Sequence, residues 1–191
     1  MRNEPLMLSY TEDEMLQLVK RLKFLVPERR ECEIEREDGV DIDLNMRMWI
    51  KDWYANLLRT ADADLLPVED LKSECSAVAD SQGVVTVEMP WKAVRPMEVR
   101  LEGWERSVTE FFAPDSTEAR LQESEWTRGG SENPAAVAGD KELKLYSAAA
   151  GATPVVAKLR CVVWDNVHYV FHSSLLNLLG GLNPNCSLDF N

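Results

Sequence analysis

Apolar residues recur at three- and four-residue steps near the start of the chain. Met15, Leu18, Val19, Leu22, Leu25 and Val26 form one stripe, and Pro27 stops it. Thr11 and Glu14 stand just ahead at capping-box spacing. Thr11 can accept from a free backbone N–H while Glu14 reaches back, so a helix is predicted to begin there. Residues 28 to 41 are highly charged, run through Asp38-Gly39 and read as a turn or loop. The helical pattern resumes over residues 43 to 59, where Met46, Trp49, Ile50, Trp53 and Leu57 share a face. Two apolar stripes so close together predict a helical hairpin.

After Pro67 the period becomes two. Residues 73–79 and 84–89 flank Asp80-Ser81-Gln82-Gly83, which predicts a β-hairpin with a four-residue turn. Met97, Val99 and Leu101 alternate with Glu98, Arg100 and Glu102, and Leu143 and Leu145 alternate with Lys144 and Tyr146. The longest alternating run is Val155, Ala157, Leu159, Cys161 and Val163, broken at Asp165-Asn166 and followed by a short strand over 167–171. Between these strands residues 114–138 read as a long loop with a short helix around Thr117 to Ser124. Loops of that length inside a domain tend to be functional, since contacts must offset their ordering cost. Ser173 can cap a short helix through Leu179, closed by Gly180-Gly181, and a polar tail from Asn183 to Asn191 is expected to reach onto a neighbour or fray.

The fold class expected is therefore α+β. A helical hairpin over residues 1–67 precedes an antiparallel sheet or small sandwich over 68–191, ending in a short helix and together forming one integrated domain. Composition agrees with a folded chain: 45% of residues are hydrophobic and 28% charged. The net charge of −12 comes from 33 acidic and 21 basic residues, with Lys20, Arg21 and Lys23 as the one tight basic group. Duplex binding needs clustered cations against phosphate, so specific nucleic-acid binding is not expected. No apolar run approaches the roughly 18 residues of a membrane span, and no signal peptide is read at Met1-Arg2-Asn3-Glu4-Pro5. A soluble protein made in a cytoplasm is expected, with Cys32, Cys75, Cys161 and Cys186 as free thiols rather than disulfides.

Catalytic signatures are missing from the sequence: it holds no P-loop, GxGxxG, GxSxG or HExxH. Asp41, Asp43 and Asn45 open like a calcium loop, but Met46 and Asp52 stand where that loop needs Gly and Glu. Acids favoured at a helix N-terminus explain them better. His168 and His172, with Cys161, make too small a donor set for a known metal site, and Cys161 with His168 lacks an orienting third group. No cofactor, no metal and no enzymatic activity are expected.

Six Trp are many for 191 residues, and Trp is enriched at interfaces. Trp91, Trp104 and Trp126 fall at strand ends or in loops. Two readings stand: they cap the edge of the sheet's core, or they anchor a subunit contact. The second puts a protein interface at Trp104, Trp126, Arg128, Asn133 and Pro134, in a docking segment whose removal over 128–134 spares folding.

Over residues 83–176 the order of elements resembles the head–tail adaptor, or ring, proteins of tailed bacteriophages, and the neck subunits of phages infecting gut Bacteroidetes. The resemblance is carried by Val84-Val85-Thr86-Val87-Glu88-Met89-Pro90 and by Arg95-Pro96-Met97-Glu98-Val99-Arg100-Leu101-Glu102-Gly103-Trp104. It continues in Trp126-Thr127-Arg128-Gly129, Glu132-Asn133-Pro134, Leu143-Lys144-Leu145-Tyr146 and Leu159-Arg160-Cys161-Val162-Val163. The C-terminal helix is shorter than that pattern has it. The resemblance implies a virion subunit in a homo-oligomeric ring, commonly twelvefold, stacked on the portal protein beside other neck or tail proteins. DNA would pass through such a ring without being gripped, which an acidic surface favours. The competing expectation is a small protein-binding module or enzyme accessory subunit from a mobile-element operon.

Overall fold

The computed structural model describes residues 6–22, 41–146 and 153–181. In chain order the elements are β1 (Met7–Thr11), α1 (Glu12–Leu22), α2 (Ile42–Thr60), β2 (Val68–Asp70), β3 (Ser76–Ala79), β4 (Val85–Glu88), β5 (Ala93–Leu101), α3 (Thr117–Glu123), β6 (Ala135–Ala138), β7 (Glu142–Tyr146), β8 (Val156–Val163), β9 (His168–His172) and α4 (Leu176–Gly181). The chain is α+β as its pattern predicts, with the helical pair first and a short helix last. Contacts divide it into two compact units, Met1–Pro67 with Trp164–Asn191, and Val68–Val163.

In the first unit β1 pairs antiparallel with β9, from Met7 opposite His172 to Thr11 opposite His168. Thr11 ends the strand and caps the helix. Its N–H donates to Glu14 Oε2 at 2.8 Å, and the Glu14 N–H donates to Thr11 Oγ1 at 3.4 Å, so the capping box forms as expected. The Thr11 backbone N–H, then its hydroxyl, hold the Glu14 carboxyl below the usual carboxylate range. Asp41 caps α2 by accepting from Leu44 N–H at 3.0 Å, the role read for it in place of calcium ligation. Ion pairs join the two helices in reversed order, Lys20 with Asp43, Asp13 with Arg47 and Glu12 with Lys51, which makes them an antiparallel hairpin. These exposed pairs fix register more than they add stability.

Helix α2 buries Met46, Ile50, Trp53, Tyr54, Leu57 and Leu58. The stripe is wider than the predicted one, and Tyr54 is its centre. The Tyr54 hydroxyl donates to Val170 O at 2.8 Å and accepts from Val170 N–H at 2.9 Å. A side chain thus satisfies two backbone groups on the edge of β9 that β1 leaves open. Rings of Trp53, Trp164, Tyr169 and Phe171 surround it, most in edge or tilted contact.

The second unit is a small sandwich. One sheet runs β2-β8-β5 and the other β3-β4-β7-β6, all neighbours antiparallel. Leu71, Val99, Leu101, Leu159, Cys161 and Val163 from one layer meet Val85, Val87, Ala136, Leu143 and Leu145 from the other in one core. The β3–β4 hairpin turns where predicted: Asp80 Oδ1 accepts from Gln82 and Val84 N–H, both at 2.8 Å, and Gly83 takes a positive φ of 78°. Asn166, with φ 58°, turns the chain from β8 into β9, at the predicted Asp165-Asn166 break.

Three features differ from the sequence reading. Strand β1 was not predicted, because its pattern is short and its partner lies at the far end of the chain. Residues 114–138 hold the predicted short helix, as α3, but are not loop thereafter: β6 ends the segment. Residues 164–181 fall in the compact unit that holds the helices rather than with the β part, since β9 pairs with β1. Leu25, Val26 and Pro27, the polar tail over 183–191, Cys32 and Cys186 lie outside the described residues.

Tyr54→Phe tests the edge closure. Loss of the hydroxyl leaves the Val170 N–H and C=O buried without that partner, at a cost of about 1–3 kcal/mol. Burial raises the Tyr54 pKa above its ordinary value, so the folded state retains a proton that the unfolded chain releases near pH 10. The stabilisation is then fully present below about pH 10 and is lost as pH rises beyond it. Urea titrations at pH 7.5 and pH 11 are expected to show the wild-type advantage over Tyr54→Phe shrinking at the higher pH.

Candidate interaction site

The segment joining β5 to β6 carries the predicted interface residues, and the structure separates their roles. Trp104 follows a turn in which Gly103 has a φ of 85°, and its N–H donates to Leu101 O at 3.2 Å. Its side chain is only 6% exposed and belongs to the sandwich core. Trp104 is therefore corrected from interface anchor to core cap, the alternative reading for strand-end tryptophans. Trp91, by contrast, is 64% exposed.

Helix α3 starts at Ser116, whose Oγ accepts from Ala119 N–H at 3.1 Å. It ends in a tight turn in which Ser124 O accepts from the N–H of Thr127 and of Arg128, at 3.1 and 2.9 Å. The Thr127 hydroxyl donates to Leu121 O. Arg128 then ties the turn down. Its Nε donates to Gln122 O at 2.9 Å, Nη2 to Glu123 O at 3.3 Å and Nη1 to Gln82 O at 2.7 Å. Its guanidinium lies 5.5 Å from the centre of the Tyr146 ring. A planar fork with several donors suits this task, since it can bind carbonyls of α3 and of the β3–β4 turn at once. Its charge also lowers the Asp80 carboxyl, after the Val84 backbone N–H, which is the largest cause.

The next residues are just as fixed. Gly129 N–H donates to Gln122 Oε1 at 2.9 Å, and a Cβ there would stand 2.3 Å from Asn133 O. Asn133 N–H donates to Gly130 O at 3.0 Å, closing a turn, and half-buried Pro134 leads into β6. Ser131 O and Glu132 O accept from Glu105 N–H and Arg106 Nε, at 3.2 and 2.5 Å. Residues 128–134 are part of the fold, not a detachable docking segment. Arg128 acts as an internal pin, and Asn133 and Pro134 shape the turn.

Trp126 is the exception. Standing between these pinned residues, it is 94% exposed, with Glu125 beside it and half-exposed Leu121 on the preceding helix. On the same unit an open groove of about 610 Å³ lies over the outer face of the β3-β4-β7-β6 sheet, against α3. Ala119, Val137 and Tyr146 are its apolar lining, with Met89 as well. Glu88, Glu142 and Lys144 project from β4 and β7 into the same groove. Sequence reasoning missed it; the signal was an outward-facing aromatic, Tyr146, on a strand whose other outward residues are charged.

The remaining candidates for chemistry are engaged elsewhere. Burial pushes the Cys161 thiol up to about 12, so it stays protonated and unreactive near neutral pH. His168 Nδ1 lies 2.7 Å from Asp165 Oδ2, and His172 Nδ1 accepts from Ser174 N–H at 3.1 Å, so each serves a local turn. Among the described residues no three His, Cys, Asp or Glu side chains are grouped to hold a metal ion. No described helix is long and apolar enough to cross a membrane. No protein-family model, no curated protein and no solved structure matches this chain.

Two substitutions measure the pin. Arg128→Ala is expected to cost about 1–3 kcal/mol, the range for losing hydrogen bonds from a charged donor. Hydrogen exchange should quicken across residues 121–134, while amides of β8 keep their protection. Gly129→Ala should destabilise by a comparable amount through the clash with Asn133 O. Unchanged exchange over 121–134 in both variants would show that the segment is held by something else.

Proposed function

We propose that this chain is a structural subunit that works by packing against other protein subunits, in a head–tail adaptor ring at the neck of a tailed bacteriophage. The observation that carries the packing role is Trp126, 94% exposed on a turn fixed by Arg128 and Gly129. An indole left in water forgoes the burial of roughly 150–250 Å² of surface. A partner recovers that burial at little entropic cost, since the turn is already ordered. Tryptophan presented this way is the residue type that dominates subunit hot spots.

The neck setting is supported by the resemblance carried over residues 83–176. It brings the expected partners: further copies of this chain, commonly twelve, the portal protein and adjoining neck or tail proteins. The net charge of −12 supports a channel wall that DNA passes without binding.

Light scattering after size exclusion, on the protein alone and mixed with a portal assembly, tests the reading. A closed oligomer, or stoichiometric capture by the portal, is the expected outcome, with no shift of duplex DNA at moderate salt. A strict monomer in both conditions overturns the proposal in favour of a small binding module.

A further inference from the structure

The β1–β9 ladder fixes which backbone groups of β1 face outward. In an antiparallel pair, residues that bond the partner strand alternate with residues that turn both groups away from it. Val170, opposite Ser9, engages its N–H and C=O with the Tyr54 hydroxyl rather than with β1. Ser9 therefore directs its own N–H and C=O to the outer edge, and so do Met7 and Thr11. Two bonds agree with that parity. Thr11 N–H donates outward to Glu14 Oε2 at 2.8 Å, and Leu6, which belongs to the other set, accepts from Ser173 N–H at 3.0 Å. Among the described residues nothing bonds the outer groups of Met7 and Ser9, and both residues are exposed.

That open stretch adjoins a second groove, of about 350 Å³, between Tyr10 of β1 and Asp13, Glu14, Gln17 and Arg21 of α1. Most of the surface it offers is carbon, from the Tyr10 ring and the side-chain stems on the helix. A strand edge with a groove against a helix is the geometry in which an extended segment adds as a further strand. Its backbone bonds the edge and its alternate side chains enter the groove. The sequence holds a segment of that kind. Ten residues follow α4, and in Cys186-Ser187-Leu188-Asp189-Phe190 apolar and polar positions alternate. When extended, ten residues span roughly 33 Å, enough to reach another copy. Contacts around a ring of identical subunits join one surface of each copy to a different surface of the next, and an open edge with an extended segment is such a pair. We infer that residues 186–190 of one copy add to the outer edge of β1 in a second copy, with Leu188 and Phe190 turned into the groove over Tyr10. This inference rests on the reading of the chain as a self-assembling subunit. A five-residue strand buries less than the ~1,000 Å² that a stable interface usually needs, so the contact is one anchor among others.

The test is sedimentation velocity over a concentration series, on the full chain alone and in its portal-bound assembly. Ser9→Pro takes away an outward N–H at an edge position that proline tolerates, so the fold stands while the added strand loses a donor. The double variant Leu188→Asp with Phe190→Asp alters the segment and leaves β1 untouched, which keeps the test valid if Ser9→Pro fails to fold. Each is expected to weaken self-association at least ~10-fold with the thermal transition unchanged. A mixture provides the directional arm. Ser9→Pro keeps its segment and the double variant keeps its edge, so the two should associate at concentrations where neither does so alone. A fluorescein-labelled peptide of residues 182–191 should bind the double variant and not Ser9→Pro. Wild-type association by the double variant would overturn this contact and leave the subunit reading standing. Peptide binding without association in the mixture would put the segment on its own copy and overturn the contact between copies. A wild type monomeric both alone and with the portal would overturn the contact and the subunit reading together.

Discussion

Small sheets have many edges, and closing them is the constraint on which this structure depends. The described residues form sheets of two, three and four strands, with edges at β1, β9, β2, β5, β3 and β6. Each edge presents backbone groups that must find partners or face water. The chain closes most of them without spending a strand. Tyr54 serves Val170 on β9, and Glu14 serves Thr11 on β1. A single bridge from Val108 serves Val99 on β5, and the Phe112 backbone bonds Ala136 and Ala138 on β6. Asp70 accepts from Leu159 N–H where β2 stops short. β3 is blunted by being only four residues long.

The segment from 105 to 134 follows from the same constraint. It supplies Val108 and Phe112 to the two sheets and then needs to return to β6 across the outer face of the sandwich. Arg128 makes that return rigid by collecting three carbonyls and a ring. Rigidity has a consequence for Trp126. Its neighbours are fixed by bonds that face inward, so the indole has no inward route. An exposed tryptophan on a mobile loop could fold back; here the backbone holds it out.

Features set by neighbours in sequence were legible. The Thr11–Glu14 box, the Asp80–Gly83 turn, the Ser116-capped helix and the alternation from Leu143 to Leu145 depend on a handful of adjacent residues. What depends on distant partners was not. β1 and β6 are strands because β9 and β7 lie beside them, and their own patterns are too short to announce it. The tryptophans show the limit most clearly. Trp104 and Trp126 both sit in loops after an element, yet one is buried and the other is not. The difference lies in which side of the turn faces the sandwich, a matter of three-dimensional path rather than composition. Arg128 was expected at an interface, whereas it bonds the chain's own Gln82 and stacks near its own Tyr146, which lie 46 and 18 residues away in sequence.

The acidic balance also reads differently with the structure in place. Many carboxylates are occupied with backbone N–H groups: Asp41, Asp62, Asp70, Asp80 and Asp165 each accept at least one. Part of the −12 charge is therefore a by-product of turns and caps rather than a surface device. The carboxylates at 115, 118, 123, 125 and 132 are different, since their side chains are exposed on and around α3. Trp126, 94% exposed, lies between them in sequence. Arg120 is exposed on the same helix, so the charge there is mixed in sign but predominantly acidic, which disfavours contact with phosphate.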